Sequence, residues 1–316
     1  MPRSESVVAH LGRPLVLRGL ASLAILAAVT IYLDPEAIWA AWGRASARGL
    51  APGIALGVAG LAVQWIKWHR LVSCVTPSAN ARTSLLSLLA GFSLGLASPG
   101  RLGELGRGLF MGQDRTPATA AAVADRLTSC AVTLLAGMAA VAVLYGSLAL
   151  RLGAWALGVV GVLVAAWSWR GRWYPRVADS AAGRHLSAGA IALGRVPLSR
   201  WLETMAWSTV FNLLFFCQFY VFVAAWGPVP ARVVLSIPAI FAVKAVLPIG
   251  IMDLGVREGA AVFLFTMLGH DPAVGFDAAL LMFGTNLLVP GVIGLFAMNA
   301  DGRCASTPAR LTRTPA

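Results

Sequence analysis

The chain has 316 residues, of which 58% are hydrophobic and only 12% are charged. Ordinary soluble domains have about 25% charged residues, and here apolar segments of about 20 residues recur from end to end. A soluble globular protein is therefore excluded, and the sequence predicts an all-α, polytopic membrane helical bundle. The net charge of +12 does not indicate a nucleic-acid partner, because the basic residues lie between the apolar stretches, where anionic lipid headgroups would meet them.

The sequence contains few of the patterns from which catalytic and cofactor sites are built. Its four cysteines are far apart and form no CxxC spacing, and its four histidines form no HExxH motif. No GxxxxGK[ST] phosphate-binding motif occurs. We therefore expect no cofactor, no metal site, no ATP site and no enzyme activity from this chain alone.

Apolar stretches long enough to cross a bilayer predict about six full spans. They cover residues 15–33, 50–68, 118–145, 148–168, 204–226 and 275–298. The first stretch lacks a clean small-residue cleavage site, so we expect an uncleaved helix rather than a signal peptide. Two longer apolar regions, 83–111 and 232–268, are interrupted by proline, glycine and charged residues. A transmembrane domain is therefore predicted over residues 15–298.

Loop charges set the orientation of the spans, because cytoplasmic loops carry an excess of arginine and lysine. The segments predicted to be cytoplasmic are the N-terminus 1–14, the loop marked by Lys67, Arg70 and Arg82, the basic loop 170–200 and the tail 299–316. The loop after the first span is neutral and is predicted to lie outside. These assignments predict a multi-pass protein of the cell inner (cytoplasmic) membrane, with both termini cytoplasmic and a disordered tail.

This orientation constrains the two interrupted regions. The loop before residue 83 and the basic loop after residue 168 are both predicted to be cytoplasmic. Spans 118–145 and 148–168 already supply two crossings between them. Region 83–111 must therefore enter and leave on the cytoplasmic side as a re-entrant hairpin. By the same parity, region 232–268 either dips in from the outside or crosses twice.

The interrupted regions also resemble each other. Each has a proline and a glycine that end an apolar helix, followed by glycines with arginine and glutamate that open another. Each is flanked by two full spans, which gives one unit at about 50–145 and another at about 204–298. The two units run in opposite directions, as in the inverted repeats whose interrupted helices mark the substrate site of many transporters.

Charged residues at membrane depth are the candidate binding residues. A charged side chain there costs about 2.5–3.5 kcal/mol on insertion scales, so it normally faces a partner or water. The candidates for substrate binding are Arg101, Glu104, Arg107, Asp125, Arg126, Asp253, Arg257 and Glu258. The neutral residues Asn212, Gln218 and Asn286 are predicted to form hydrogen bonds between helices.

Structural explanations remain open for several of the charged residues. Arg101 and Arg107 could snorkel to the cytoplasmic interface, as could Lys244. Asp125 and Arg126 could form ion pairs with neighbouring helices. Because these two are adjacent on a helix, they point about 100° apart and cannot be each other's main partner.

Three strings together resemble the lysylphosphatidylglycerol synthase transmembrane family, which is also called flippase-like. They are Pro99-Gly100-Arg101-Leu102-Gly103-Glu104, Asp125-Arg126-Leu127 and Gly255-Val256-Arg257-Glu258-Gly259. The resemblance covers about residues 15–298. It implies a bundle with two re-entrant elements that moves lipids between leaflets, and it places Arg101, Glu104, Arg257 and Glu258 at positions that line the cavity.

The sequence also departs from the family pattern. Met252-Asp253 stands where the family usually has two glycines, and Thr285 and Asn286 are the nearest polar residues where the last span often carries an arginine. The headgroup preference is therefore expected to differ. We also expect the aminoacyl-transferring domain of the full-length synthases to be absent, because the sequence continues only to residue 316.

The leading functional hypothesis is flipping or scrambling of a lipid with an anionic or aminoacylated headgroup. The partner would be a membrane phospholipid or another polar lipid. Two alternatives remain open. One is a non-transporting membrane partner that holds a cytoplasmic lipid-modifying glycosyl- or acyl-transferase through the 170–200 loop. The other is an intramembrane lipid transferase that uses Glu104 or Asp125 as its base.

Overall fold

The predicted all-α membrane bundle is confirmed in the part of the chain that the structure describes. The computed structural model describes residues 27–28, 30–33, 35–96, 98, 100–112, 115–146, 181–247 and 254–300. Four helical segments there are long and apolar enough to cross a membrane: Ala47–Val72, Arg115–Tyr145, Leu198–Ala224 and Pro272–Met298. They correspond to the predicted spans 50–68, 118–145, 204–226 and 275–298. The predicted span 148–168, most of span 15–33, Asp253 and the tail 301–316 lie outside the described residues.

Ten α-helices and two shorter helical segments make up the described elements. The α-helices are α1 Pro35–Arg44, α2 Ala47–Val72, α3 Ala81–Leu96, α4 Arg115–Tyr145, α5 Ala181–Gly194, α6 Leu198–Ala224, α7 Ala231–Val246, α8 Val256–Met267, α9 Pro272–Phe283 and α10 Val289–Ala300. A 3₁₀ helix covers Leu102–Phe110, and a π-helical turn at Gly284–Leu288 joins α9 to α10. Helix α5 occupies part of the predicted basic loop 170–200, so that region is not a simple loop.

Local sequence signals explain where several of these helices begin. Ser46 caps α2, its side-chain oxygen accepting a hydrogen bond from the Gly49 amide at 3.3 Å. Asp271 caps α9 in the same way, accepting from the Ala273 amide at 2.9 Å, and a proline follows at the first helical position. Helices α6 and α7 begin directly after Pro197 and Pro230.

Helices α2 and α6 are antiparallel and define the two ends of the bundle. At the Ser46 end, the Ser46 amide donates to the Ala225 carbonyl at 3.0 Å. At the Arg70 end, the Arg70 guanidinium lies 3.7 Å from the Glu203 carboxylate. The direction of each remaining element follows from which of these two ends, the Ser46 end or the Arg70 end, it begins and finishes at.

The first interrupted region forms a hairpin of α3 and the 3₁₀ helix, which we call the first hairpin. Both of its limbs reach towards the Arg70 end. The Ala81 carbonyl accepts from the Trp65 indole at 3.1 Å, and Met111 packs in one apolar cluster with Trp68 and Leu71. Region 83–111 therefore enters and leaves at one end, as the parity argument predicts.

The second interrupted region forms a hairpin of α7 and α8, the second hairpin, which opens at the opposite end. Helix α7 begins just after Trp226, whose indole donates to the Ala41 carbonyl at 2.8 Å. Helix α8 finishes just before Asp271, which pairs with Arg44 at 2.9 Å. Both limbs thus meet the Ser46 end, as either alternative requires. Helices α7 and α8 have 16 and 12 residues, fewer than the about 20 that a full crossing needs, which favours the dipping alternative. The helix order is the one that an inverted repeat requires, and the repeat itself stays a prediction.

Each hairpin has its own apolar cluster. Leu88, Leu89 and Phe92 of the first hairpin are buried against Trp68 and Leu71 of α2. The second hairpin packs against α6 and α9. Its buried side chains include Ile237, Ile240, Phe241 and Phe265, and those of α6 include Phe219 and Phe222. The polar groups described below lie between these two clusters.

Candidate functional site

A cavity lies within the bundle, between the first hairpin and helices α2, α4, α6, α7 and the π turn. It encloses about 130 Å³, which is space for several water molecules or a small charged group. Six charged residues line it, namely Arg101, Glu104, Arg107, Asp125, Arg126 and Lys244. Five of these six are candidate binding residues from the sequence, and the fold brings those five together.

The 3₁₀ helix accounts for the alignment of three of these residues. Because it has three residues per turn, positions three apart lie above one another. Arg101 precedes the helix, and Glu104 and Arg107 follow at this spacing. Arg101 has φ of 57°, the left-handed region that disfavours side-chain-bearing residues, and it is the only non-glycine residue with positive φ in the described chain. Backbone strain of this kind is concentrated at functional sites.

Glu104 is the centre of a first group of charges, which we call the Glu104 cluster. The Arg101 Nε donates to Glu104 Oε1 at 2.6 Å, and Arg126 lies 2.7 Å from Glu104 Oε2. Arg126 thereby ties helix α4 to the first hairpin. Its side chain is 33% exposed, against 11% for Glu104, so Arg126 is the most accessible member of this cluster.

Asp125 is the centre of a second and more deeply buried group, the Asp125 cluster. Arg107 donates to Asp125 Oδ2 at 2.5 Å, and Lys67 Nζ lies 3.0 Å from Asp125 Oδ1. The second contact is an ion pair without hydrogen-bond alignment. The ammonium group of Lys67 also donates to Ser129 at 2.5 Å and to Ser208 at 3.3 Å.

The position of Lys67 corrects one sequence-based assignment. Lys67 was counted with Arg70 and Arg82 as a charge that marks a cytoplasmic loop, but it lies inside α2 with a fully buried side chain. Asp125 is the carboxylate that makes this burial possible, since an isolated ammonium in such a place is strongly disfavoured. Sequence reasoning missed Lys67 because it is one residue before the end of the predicted span 50–68, where a lysine side chain is expected to reach the headgroups.

Asp125 and Arg126 confirm the argument from helix geometry. They are adjacent, and each pairs with a different residue: Asp125 with Lys67 and Arg107, and Arg126 with Glu104. The two side chains therefore connect α4 to two separate groups of charges.

Aromatic rings support the cationic groups. The Arg107 guanidinium lies 4.0 Å from the ring centroid of Trp68, a cation–π distance. The Trp68 indole in turn donates to Ser87 at 2.8 Å, which fixes the ring on helix α3. Arg101 lies 5.9 Å from the ring centroid of Phe92. Each of these arginines thus contacts an aromatic ring as well as a carboxylate.

Neutral polar residues form hydrogen bonds between helices, as predicted. Thr133 of α4 donates to Asn212 of α6 at 2.6 Å. Asn286 in the π turn donates to Gln218 of α6 at 2.9 Å, and Gln218 donates to Thr285 at 3.1 Å. Of these residues Thr133, Asn212, Thr285 and Asn286 also line the cavity, a role that the sequence did not suggest.

Arg257 and Glu258 are not among the described residues that line this cavity with Arg101 and Glu104, and their role in substrate binding stays a prediction. They pair with each other at 2.5 Å, and their side chains are only 4% and 0% exposed. The Gly255 amide also donates to Glu258 Oε2 at 2.8 Å, so the glutamate caps helix α8. Neither residue belongs to the cavity lining in the described part of the chain.

The cavity has more basic than acidic residues in its described lining. Its described lining has four basic residues, Arg101, Arg107, Arg126 and Lys244, and two acidic ones, Glu104 and Asp125. Buried Lys67 adds a further positive charge beside Asp125.

The family comparison agrees with this architecture. The family model for the lysylphosphatidylglycerol synthase TM region matches residues 19–294. The chain belongs to this family. The family is a membrane domain associated with lipid synthesis and flippase-like function. No match was found among curated proteins or among solved structures.

Proposed function

We propose that this multi-pass membrane protein moves a polar lipid between the leaflets of the cytoplasmic membrane. The headgroup would occupy the charged cavity while the acyl chains stay in the surrounding lipid. The Arg70 end would face the cytoplasm, because the predicted cytoplasmic loops lie there. The chain would act without an ATP site and without lipid synthesis of its own.

The observation that carries this proposal is a polar cavity between helices that are long enough to cross a membrane. Charged side chains within a bilayer are costly and commonly mark a substrate or ion pathway. Here six charged residues surround a space of about 130 Å³. A bundle that needed only stability would be expected to fill this space with apolar side chains, since buried ion pairs contribute little net stability.

The hairpins supply a second argument. Non-helical backbone at membrane depth is tolerated where protein buries it or where it lines a wet cavity. The break between α3 and the 3₁₀ helix lies beside the cavity, because Gly100 and Arg101 both line it. In transporters with broken helices, such breaks hold the substrate.

Leaflet exchange in reconstituted vesicles tests this proposal directly. Purified protein in phosphatidylcholine vesicles with trace acyl-labelled phospholipids would be treated with a membrane-impermeant quencher. We expect the quenched fraction to rise above the outer-leaflet level in vesicles with protein. Replacing both Arg101 and Arg126 with alanine should slow this exchange at least roughly 10-fold, since each loses a charge-assisted contact.

Arg115→Ala provides a matched control on the same helix as Arg126. Arg115 is exposed and donates to the Gly112 carbonyl at 3.1 Å. It makes the same chemical change outside the cavity, so exchange should stay at the wild-type rate. Exchange that is identical in empty vesicles, or in the double cavity variant, would contradict the proposal.

A further inference from the structure

We propose that Asp277 is a proton-binding site that couples lipid movement to a proton gradient. Its carboxyl group would hold a proton in this conformation and release it to water when the Ser46 end of the bundle opens. The step transfers one proton between a carboxyl oxygen and water, and it changes no other covalent bond. This inference rests on the proposed lipid movement and names the ion that would drive it.

Asp277 is a carboxyl group in apolar surroundings. It lies in α9, within a helical segment that is long and apolar enough to cross a membrane. It is 0% exposed, and each residue from Ala273 to Ala279 is buried. Beside it, Phe276 packs in an apolar cluster with Leu33 and Val262.

Neither oxygen of this carboxyl group has a hydrogen-bond partner among the described residues. The Trp42 indole of α1 faces the group, but it completes no hydrogen bond with either oxygen. Buried polar groups without partners are rare in folded proteins, and each requires an explanation. An unpaired carboxylate away from water is strongly disfavoured, so the neutral acid is the form that these surroundings accommodate.

The nearby charged groups are already paired with one another. Arg44 and Asp271 act on Asp277 electrostatically, and they pair with each other at 2.9 Å. Helix α8, which packs against α9, carries Arg257 and Glu258 in its first turn, and these two are also paired with each other. In the described part of the chain, the ionised form of Asp277 therefore has no counter-charge in this conformation.

The elements that pack around α9 are α1, α6, α8 and the π turn. The other ionisable groups on or beside them are Glu36, Arg200, Glu203, Cys217, Tyr220 and His270. Glu203 pairs with Arg200 at the Arg70 end, and Cys217 and Tyr220 are exposed. His270 lies in the connection between α8 and α9, at the Ser46 end, so the experiment has to separate it from Asp277.

Asp277 lies close to the Ser46 end, which is the end predicted to face the outside. It follows Asp271 by six residues, which is about 9 Å along a helix, and the Asp271 side chain is 37% exposed. Trp42 of α1 stands over the carboxyl group. A small separation of α1 from α9 would therefore bring water to Asp277.

Helix α9 connects this carboxyl group to the cavity. It continues through the π turn Gly284–Leu288, and Thr285 and Asn286 of that turn line the cavity. Turns of this kind are frequent at functional sites. A ligand shifts a conformational equilibrium only when it binds one state better than the other. A proton binds Asp277 better in this conformation than in one that lets water reach the carboxylate, so its loss would favour opening of the Ser46 end.

A proton gradient across vesicles that contain the full chain tests the coupling. Phosphatidylcholine vesicles with trace acyl-labelled phosphatidylglycerol would receive a gradient of about two pH units, while potassium and valinomycin hold the membrane potential at zero. A membrane-impermeant quencher then gives the steady-state ratio of labelled lipid between the leaflets. At one proton per lipid, we expect this ratio to shift about 10-fold for each pH unit, and a protonophore should abolish the shift.

Asp277→Asn removes the ionisable group with little change in shape, and it should remove the shift of the ratio. The steady-state ratio does not depend on how fast exchange is, so a slower variant still reports on coupling. Asp271→Asn is the matched control, because it makes the same change at the same end and asparagine still caps α9. The shift should remain at its wild-type size in this control.

Asp277→Glu keeps an acid at this position and decides the case if Asp277→Asn does not fold or does not exchange lipid. We expect the gradient to shift the leaflet ratio in this variant. A folded Asp277→Glu protein that exchanges lipid without any shift would contradict the inference.

Infrared spectroscopy of the purified protein gives a readout that does not depend on lipid movement. Near pH 7 exposed carboxyl groups are ionised, whereas a neutral carboxyl group has a carbonyl absorption band of its own. We expect such a band in the wild-type protein and in Asp271→Asn, and its loss in Asp277→Asn. Spectra without this difference would overturn the proton site.

The other outcomes separate this inference from the proposed function. Exchange above the rate in empty vesicles that does not respond to the gradient would overturn the coupling and leave lipid movement standing. A shift that persists in Asp277→Asn and is lost in His270→Gln would assign the proton to the histidine instead. No exchange above the rate in empty vesicles would overturn both proposals. A shift that Asp277→Asn removes and Asp271→Asn keeps supports the inference.

Discussion

The two hairpins carry similar sequence motifs and use them differently. In the first hairpin, Arg101 and Glu104 are three residues apart, pair with each other and face the cavity. In the second, Arg257 and Glu258 are adjacent, pair with each other and close the start of helix α8. The same pair of residue types therefore serves a cavity in one hairpin and a helix cap in the other.

The spacing explains this difference. The 3₁₀ turn aligns Arg101 and Glu104 on one side, and Arg126 from α4 reaches the outer oxygen of Glu104 at 2.7 Å. In the second hairpin, Glu258 bonds the Gly255 amide three residues before it at 2.8 Å. One glutamate is thus turned towards a neighbouring helix, and the other is turned back on its own.

Replacing Asp125 should have the largest effect on stability and would sharpen this comparison. Asp125→Asn leaves two buried cations, Lys67 and Arg107, without their counter-charge. Because breaking a buried pair is strongly unfavourable, we expect a loss of roughly 5 kcal/mol, seen as a fall in thermal stability in detergent. A loss as small as that of an exposed pair would show that water already solvates these cations or that another group already neutralises them.

Glu258→Ala should have the next largest effect, and it tests whether the second hairpin is structural. The substitution leaves the buried Arg257 without its counter-charge and removes the cap of α8. We expect the free energy of unfolding to fall by roughly 3 kcal/mol. Lipid exchange per folded molecule should remain unchanged, since neither residue lines the cavity. The double variant Arg257→Met, Glu258→Gln removes both charges and keeps an acceptor for Gly255, so it should recover much of the stability. A large loss of exchange in this double variant would place the second motif in the pathway.

Gly103→Ala should have an intermediate effect and tests the tight turn of the first hairpin. A Cβ at this position would overlap the carbonyl oxygen of Leu94. Overpacking of this kind costs about 1–3 kcal/mol and should also slow lipid exchange, because the turn positions Arg101 and Glu104. Gly284→Ala is the control, because its Cβ would meet no atom within 4 Å and should cost no stability.

Arg44→Ala should have the smallest effect. Arg44 pairs with Asp271 at 2.9 Å, but the two side chains are 60% and 37% exposed. Exposed pairs contribute about 0–1 kcal/mol, and salt should reduce even that contribution. A melting temperature that falls as far as in the Glu258→Ala variant would mean that the Ser46 end depends on this contact.

Much of the fold could be predicted from the sequence. Membrane spans are set by the length and hydropathy of continuous segments, which are local properties, and four of them are found where they were predicted. Parity of the loop charges predicted that region 83–111 enters and leaves at one end. Local helix geometry also predicted that Asp125 and Arg126 take different partners.

The candidate site depends on contacts that local patterns do not specify. Lys67 and Asp125 are far apart in the chain, and only the packing of α2 against α4 places them 3.0 Å from each other. Arg257 and Glu258 looked equivalent to Arg101 and Glu104 because the motifs share composition. Side-chain direction at a helix start depends on the backbone around it, and that backbone is different in the two hairpins.

The sequence by itself determined that this is a membrane protein of the lysylphosphatidylglycerol synthase TM family, with charged residues in interrupted helices. Apolar length and family motifs are written in consecutive residues, so they can be recognised without coordinates. Only the tertiary structure decided which charges share a cavity, because ion pairs such as Lys67 with Asp125 and Glu104 with Arg126 join different elements.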